Sequence, residues 1–448
     1  GWALTFNQAD ASDLIQLETD GDTYTINNKP ENFSITRDTI LVKQENGYKH
    51  IPVSCRESKF GYILEEKEDY ALALRISGLE RPGMLRQFYM MSKAGSQPQF
   101  MQAVAMMQLP LQNIIYSDAG GNIALVYNGL IPQRPGGSYA EWAGIIPAEK
   151  QGSMISSYIP WENLPKLINP ASGFIANSNN SPFTSTFPFV KNTWEFPAYA
   201  YPGEYIPFDF RAARSLRMIT EKDKLTFDDI AALQASTHAE LADRVLPELI
   251  AYAKESGEDI LMQAAGLLES WDRSTSPQSR GSVIFGAWYF ASRRGEMFQN
   301  PFDPARPLET PAQLTKDALK QLPPAVKRLA ERYGSIDLAW SDIYKTSFNG
   351  AAAAGGPGLG ELGSFNAGFY SRDDKNIFHL AGGTAFSSVV EFADTVKAAG
   401  LLSYGNATQP GFPIRTNQLE LLIRGKLRPA LFSEWEVQGG TAYTEVLK

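Results

Sequence analysis

The stretch Ser172-Gly-Phe-Ile-Ala-Asn-Ser-Asn-Asn-Ser-Pro182 decides how the rest of the chain is read. Asn169-Pro170 ends whatever precedes it, Gly173 loosens the backbone, and Pro182 closes the segment. Between them, Phe174-Ile175-Ala176 is a short apolar run that predicts backbone entering a core sheet. Three asparagines follow, Asn177, Asn179 and Asn180. Asn is a poor residue for a strand interior. A strand that ends this way aims amide groups, either at its own backbone in Asx-type turns or at something outside it. Spacing alone leaves both readings open.

The chain has 448 residues, 43% hydrophobic and 20% charged, an ordinary globular composition with length for a large core. A net charge of -8 disfavours nucleic acid or an anionic membrane surface as a partner. No apolar run approaches the ~20 residues that span a bilayer. The single cysteine, Cys55, permits no intrachain disulfide and is silent on compartment. His50, His238 and His379 lie far apart without metal-ligand spacing, which argues against zinc. The chain opens Gly1-Trp2-Ala-Leu-Thr-Phe6, directly inside an apolar, strand-like segment. That start suggests a truncated or processed piece, with any signal peptide out of view.

Residues 22–75 show short β-patterns separated by Asn, Gly and Pro turns. From Met84 to Ala105 the period becomes helical, with methionines filling the apolar face. Asn113 to Gly129 predicts a β-hairpin with its turn at Asp118–Gly121. Thr226-Phe-Asp-Asp229 predicts a capping box, and Ile230 to Tyr252, Leu261 to Trp271 and Lys316 to Tyr333 predict helices. Ala351 to Gly360 is glycine-rich without a P-loop ending and reads as a mobile loop. His379 to Val390 and Gly400 to Gly405 read as strands returning to the sheet.

Ile159 to Pro182 resembles the corresponding stretch of the penicillin acylase family of N-terminal-nucleophile (Ntn) hydrolases. The hairpin with Pro132 and Arg134, and Trp271-Asp272 with Gly281-Ser282, resemble the same family. His379 to Val390, Gly400 to Gly405, the Gln418 segment and Leu431-Phe-Ser433 are most similar to its N-acyl-homoserine lactone acylase branch. The resemblance implies an α+β fold, an αββα sandwich of antiparallel sheets with a mostly helical insertion. Its sub-regions would be 1–210 sheet-rich, 211–345 helical and 346–448 returning strands, all of one β-subunit fragment.

It also implies chemistry. The family cleaves linear amides with an N-terminal serine whose own amine acts as base. Matching positions make Asn177 the side-chain oxyanion donor and Phe6 the backbone donor. Arg211, with Arg214 as second choice, would be the arginine near the nucleophile. Asp10 and Asp13 match calcium-ligating aspartates, giving a structural calcium and no organic cofactor. Gly1 has no side chain to attack with, so the serine would lie upstream. Implied partners are the α subunit, the upstream β-subunit segment and a small N-acyl substrate, in the periplasm or outside the cell. The alternative is a binding module or pseudo-enzyme of the same fold. A Ser/Thr/His triad hydrolase is disfavoured by the lack of a Gly-x-Ser-x-Gly elbow.

Overall fold

Short apolar runs bounded by Gly, Asn and Pro become strands in the first half of the chain. The computed structural model describes residues 1–151, 157–191, 196–206, 208–348, 351–407 and 409–440. Two units emerge, Gly1–Pro207 and Phe208–Lys448. In the first, the strands are β1 (Trp2–Thr5), β2 (Ser12–Asp20), β3 (Thr23–Ile26), β4 (Lys29–Asn32), β5 (Ser34–Gln44), β6 (Gly47–Ser58), β7 (Gly61–Glu66) and β8 (Tyr70–Ile76). Helices α1 (Met84–Lys93) and α2 (Gln97–Val104) follow, split at Ala94-Gly95 where one helical stretch was expected. Then come β9 (Leu111–Ser117), β10 (Ile123–Gly129), α3 (Tyr139–Trp142), β11 (Ile145–Pro147), α4 (Ala148–Gln151) and β12 (Lys166–Ile168).

The smaller sheet runs β1-β9-β10-β12, antiparallel throughout. Its outer face packs Ile114, Tyr116, Ala124 and Val126 against Met91, Phe100 and Val104 of the two helices. Its other side contributes Tyr127, with Leu130 and Ile131 just beyond β10, to a second core. There they meet Ile15 and Leu17 of β2 and Ala71 and Ala73 of β8, inside the larger sheet β4-β3-β2-β8-β7-β6-β5. The order is therefore helix, sheet, sheet, as alternating apolar strands require when each buries one face. The predicted hairpin turn forms because Asp118 Oδ1 accepts from the backbone N–H of Gly120 and Asn122, at 2.8 and 3.1 Å.

The expected core strand at Phe174–Ala176 does not form; the segment is irregular and only half-buried. Its backbone has one ladder-like bond, Ala176 N–H to Ser185 O at 2.8 Å. Asn and Ser side chains take up the neighbouring backbone groups instead, the competition that keeps such residues out of sheets.

The second unit begins with α5 (Phe210–Thr220), α6 (Phe227–Leu233), α7 (Glu240–Glu255), α8 (Asp259–Glu269) and α9 (Gly281–Ser292). Thr226 and Asp229 close the predicted capping box. The expected single helix from Ile230 to Tyr252 is two, α6 and α7. A small pair, β13 (Phe298–Asn300) and β14 (Ala312–Leu314), precedes α10 (Lys316–Leu319) and α11 (Leu322–Tyr333). Helices α7, α8, α9 and α11 bury Leu249, Leu268, Phe285, Trp288 and Val326 in one core.

Strands β15 (Tyr344–Phe348), β16 (Ala351–Ala354), β17 (Gly358–Leu359), β18 (Ala367–Arg372) and β19 (Phe378–Gly383) form a five-stranded sheet. Strands β20 (Phe386–Glu391), β21 (Lys397–Leu402) and β22 (Arg428–Pro429) form a separate three-stranded sheet. Two expectations change here. The glycine-rich stretch is no mobile loop at its start, because Ala351–Ala354 pairs with β15. The late strands build sheets of their own rather than rejoining the first. No helix among the described residues is long and apolar enough to cross a membrane.

Gly61 opens β7 at φ +144°, and a Cβ there would lie 2.1 Å from Leu74 O. Gly61→Ala is expected to cost about 1–3 kcal/mol of stability. Denaturant unfolding checks this, and an unchanged midpoint would contradict the close approach of β7 to β8.

Candidate active site

Neutral amides crowd the end of β1. The strand's pairing with β9 stops at Thr5↔Asn113, so Phe6 leaves the ladder there. Asn113 is fully buried, and its Nδ2 lies 3.1 Å from Thr5 Oγ1, 3.3 Å from Phe6 O and 3.2 Å from Asn177 Oδ1. Thr5 Oγ1 donates to Asn177 Oδ1 at 2.5 Å. The Asn179 backbone N–H donates to the same oxygen at 3.0 Å. On its other side, Asn177 Nδ2 donates to Asn180 O at 2.8 Å and to Ser185 Oγ at 3.0 Å. Rotating that amide would set NH2 against the Asn179 N–H, so the partners fix its orientation.

Both amide protons of Asn177 are thus committed to its own loop. Asn177 was expected to present them to an oxyanion; here they bond the loop that carries it, and its Oδ1 fastens that loop to Thr5 of β1. From this loop, the amide that reaches Phe6 is that of Asn179, whose Nδ2 donates to Phe6 O at 2.9 Å, beside the Asn113 amide of β9. Asn179 sits at φ +71°, a left-handed conformation that Asn tolerates better than most residues. Asn180 completes the loop: its Oδ1 accepts from the Ser178 N–H at 2.7 Å and its Nδ2 donates to Thr184 Oγ1 at 2.9 Å. Phe6 itself is exposed, at 68% of full accessibility.

Four residues beyond Phe6, the chain turns inward to a charged cluster. Arg134 Nη2 lies 2.6 Å from Asp10 Oδ2 and 2.8 Å from Asp13 Oδ1. Arg75 Nη1 lies 3.6 Å from Asp13 Oδ2. Asp10, Asp13, Arg75 and Arg134 are all buried, and the Arg134 guanidinium lies 4.2 Å over the Trp142 ring. Register explains part of this, since Asp13 on β2 faces Arg75 on β8 at the end of the inner face. Burial pushes the Asp10 carboxyl up to about 6, against the opposing pull of Arg134.

Arg211 lies in the second unit, one residue into α5 and half-buried, near Gly360. Three turns of that helix and α7 converge on Glu240, which is fully buried. Arg217 grips it with Nη2 at 2.8 Å, Arg244 stands at 3.6 Å and Arg214 at 3.9 Å. Arg214, the second choice for the arginine near the nucleophile, is therefore turned to a buried acid.

A family-wide sequence profile described as Penicillin amidase matches residues 1–439. The chain belongs to the penicillin amidase family. Within it, the chain is 25% identical to an acyl-homoserine lactone acylase PvdQ of Pseudomonas savastanoi pv. phaseolicola, over 90% of this chain and 56% of that protein. An acyl-homoserine lactone acylase PvdQ of Pseudomonas fluorescens is 24% identical over the same shares. The penicillin G acylase of Escherichia coli is 32% identical, over 25% of this chain and 13% of its own. A thermostable penicillin G acylase of Alcaligenes faecalis shares the fold, with a TM-score of 0.67 at 17% identity, over all of this chain and 88% of that one. The chain spans a little over half the length of the curated acylases it matches.

Family membership does not carry calcium into this chain. Calcium takes six to eight oxygens at about 2.3–2.6 Å. Here a guanidinium bridges the two aspartates, and no group of three or more Asp, Glu, His or Cys among the described residues is arranged for a metal. The residues present do not fit the ion. The hairpin's Pro-x-Arg contains Arg134, but nothing in the sequence connects it to Asp10 and Asp13, which lie 124 and 121 residues away. The sequence pattern assigns no role to Asn113 or Asn179; an Asn facing the end of β1 in the pairing register is the usable signal for Asn113. Glu240 had the i,i+4 spacing to Arg244 as its signal.

Three outcomes follow from the charged cluster. Arg134→Met leaves two buried carboxylates without their bridge and is expected to cost about 3–5 kcal/mol. Calcium or EGTA should leave the thermal midpoint of the unaltered full-length protein in place; a rise with calcium that Asp13→Asn abolishes would show a metal bound at this loop. Asp10 is raised from 3.8 to about 6 in the folded state, so its contribution to stability is complete below 3.8 and is lost as pH climbs through about 6. Asp10→Asn lacks that titration. The stability difference, unaltered protein minus Asp10→Asn, should therefore move against the unaltered protein across that window, as read by urea unfolding at stepped pH.

Proposed function

We propose that the protein containing this chain hydrolyses the linear amide of a small N-acylated compound through an acyl-enzyme. The observation that carries the reading is the meeting of the Phe6 backbone, just past the end of β1, with the Asn179 side-chain amide 2.9 Å from Phe6 O. Family membership sets the reaction class, and its nucleophile would be an N-terminal serine upstream of Gly1. The serine hydroxyl attacks the amide carbonyl while its own α-amine takes the proton. The carbonyl oxygen becomes an oxyanion, held by the Phe6 N–H and a side-chain amide. Collapse expels the protonated amine, and water then releases the acid from the ester.

Asn179 is proposed as the donor because its Nδ2 reaches the Phe6 carbonyl from the loop. Asn177 already gives its Nδ2 protons to Asn180 O and Ser185 Oγ. Its part is to hold the loop against Thr5 and Asn113, so that donors stand fixed before charge develops. A site of neutral amides suits that task, because preset dipoles need no reorganisation in the transition state. Arg211 stays a proposed participant on the family likeness alone. The substrate class is N-acyl-homoserine lactones, as the names of the Pseudomonas relatives suggest, or penicillin-type amides. The proposed partners are the α subunit and the preceding β-subunit segment, and the proposed place is the periplasm or beyond.

In the full-length processed protein, Asn179→Ala is expected to lower kcat by about 10²–10³ with little change in thermal midpoint. Asn177→Ala should lower both, because it unfastens the loop. Turnover of an N-acyl-homoserine lactone series by Asn179→Ala within a few-fold of the unaltered protein would remove this amide from the reaction.

A further inference from the structure

The second unit holds a cavity of about 530 Å³ between α9, α11, β18 and β19. That lies within the roughly 300–1,000 Å³ of small-molecule sites. Its floor is aromatic and aliphatic. Tyr344 stacks on Phe378 at 4.9 Å and meets Tyr370 edge-on at 4.9 Å, while Leu329 and Ile343 close it from the helical side. Burial holds the Tyr344 and Tyr370 phenols above their ordinary range, so the floor carries no charge at neutral pH.

The wall is different. Four arginines line it: Arg293 just past α9, Arg328 and Arg332 one turn apart on α11, and Arg372 at the end of β18. All four are exposed. Most other arginines of this unit pair with carboxylates, as Arg217, Arg273, Arg280 and Arg424 do. These four make no ion pair among the described residues. Arg293 lies 4.8 Å over Phe290, which keeps its head at the wall. One acid, Glu361, also lines the space, so the lining keeps an excess of three positive charges over four arginines and one carboxylate.

We propose that this cavity binds a monocarboxylate with an apolar tail, the tail on the aromatic floor and the carboxylate between the guanidinium groups. A guanidinium grips a carboxylate through two parallel N–H bonds, and a concave apolar floor rewards a tail rather than a bare anion. The site lies wholly within the second unit and does not depend on the amide chemistry proposed for the first.

The test uses the full-length processed protein and sodium decanoate, followed by isothermal titration. Saturable binding is expected, weakened by added salt because exposed charges are screened. The uncharged octyl glucoside should not compete. Arg328→Gln with Arg332→Gln, both on the solvent side of α11, should weaken decanoate about tenfold or more. Ala291→Trp should block the cavity and abolish binding, with the circular dichroism and thermal midpoint of each variant confirming its fold. Absence of saturable binding, affinity within about twofold after loss of both arginines, or unaltered binding by folded Ala291→Trp would each overturn the proposal. Amide hydrolysis by the same variants should be unchanged, so failure of the proposed reaction and failure of this site are read separately.

Discussion

Asn177 Oδ1 draws three donors from three separate parts of the chain: the Thr5 hydroxyl, the Asn113 amide and the Asn179 N–H. Its Nδ2 returns two bonds to the loop that carries it. With all of its hydrogen-bonding capacity in use, one side chain fixes where the strand end and the loop sit relative to each other. A buried amide that is only partly paired costs about 1–3 kcal/mol per missing partner. That cost makes the arrangement close to all-or-none, and the backbone of Phe6 inherits its position from it.

The same logic appears with charge. Each unit buries carboxylates, and each answers them with arginine. In the first unit, Arg134 spans Asp10 and Asp13 while stacked on Trp142. In the second, Glu240 sits inside a fork from Arg217 with Arg244 and Arg214 close by. Arginine suits both places because its planar head meets a carboxylate with paired bonds and still lies flat on an aromatic ring. The Arg134 bridge also ties the segment just after Phe6 to the residues beyond β10, so the strand end is braced from the amide side and from the ionic side. Arginines that have no such acid, as around the cavity by α11, stand out against this background.

Local signals were legible and long-range ones were not. The hairpin from β9 to β10 could be read because Asp118 bonds backbone two and four residues on. The Thr226–Asp229 capping box is equally local. Phe174–Ala176 misled because an apolar run looks the same whether its backbone pairs with a strand or with hydroxyls and amides. Ala351–Ala354 misled in the opposite sense: glycine and alanine carry little strand preference, and the pairing with β15 comes from the partner.

Residue order by itself determined the family, the α+β class, the elements with local caps and turns, and the crowding of asparagines near residues 177–180. Tertiary structure decided which asparagine of the loop serves as fastener and which faces Phe6, and it set the Arg134 guanidinium between Asp10 and Asp13. The reason is physical. A turn or a cap closes its bonds within a few residues, so its partners are written beside it. A buried amide or carboxylate takes whichever donors the fold delivers, here 172, 124 and 121 residues away, and no local pattern states which these will be.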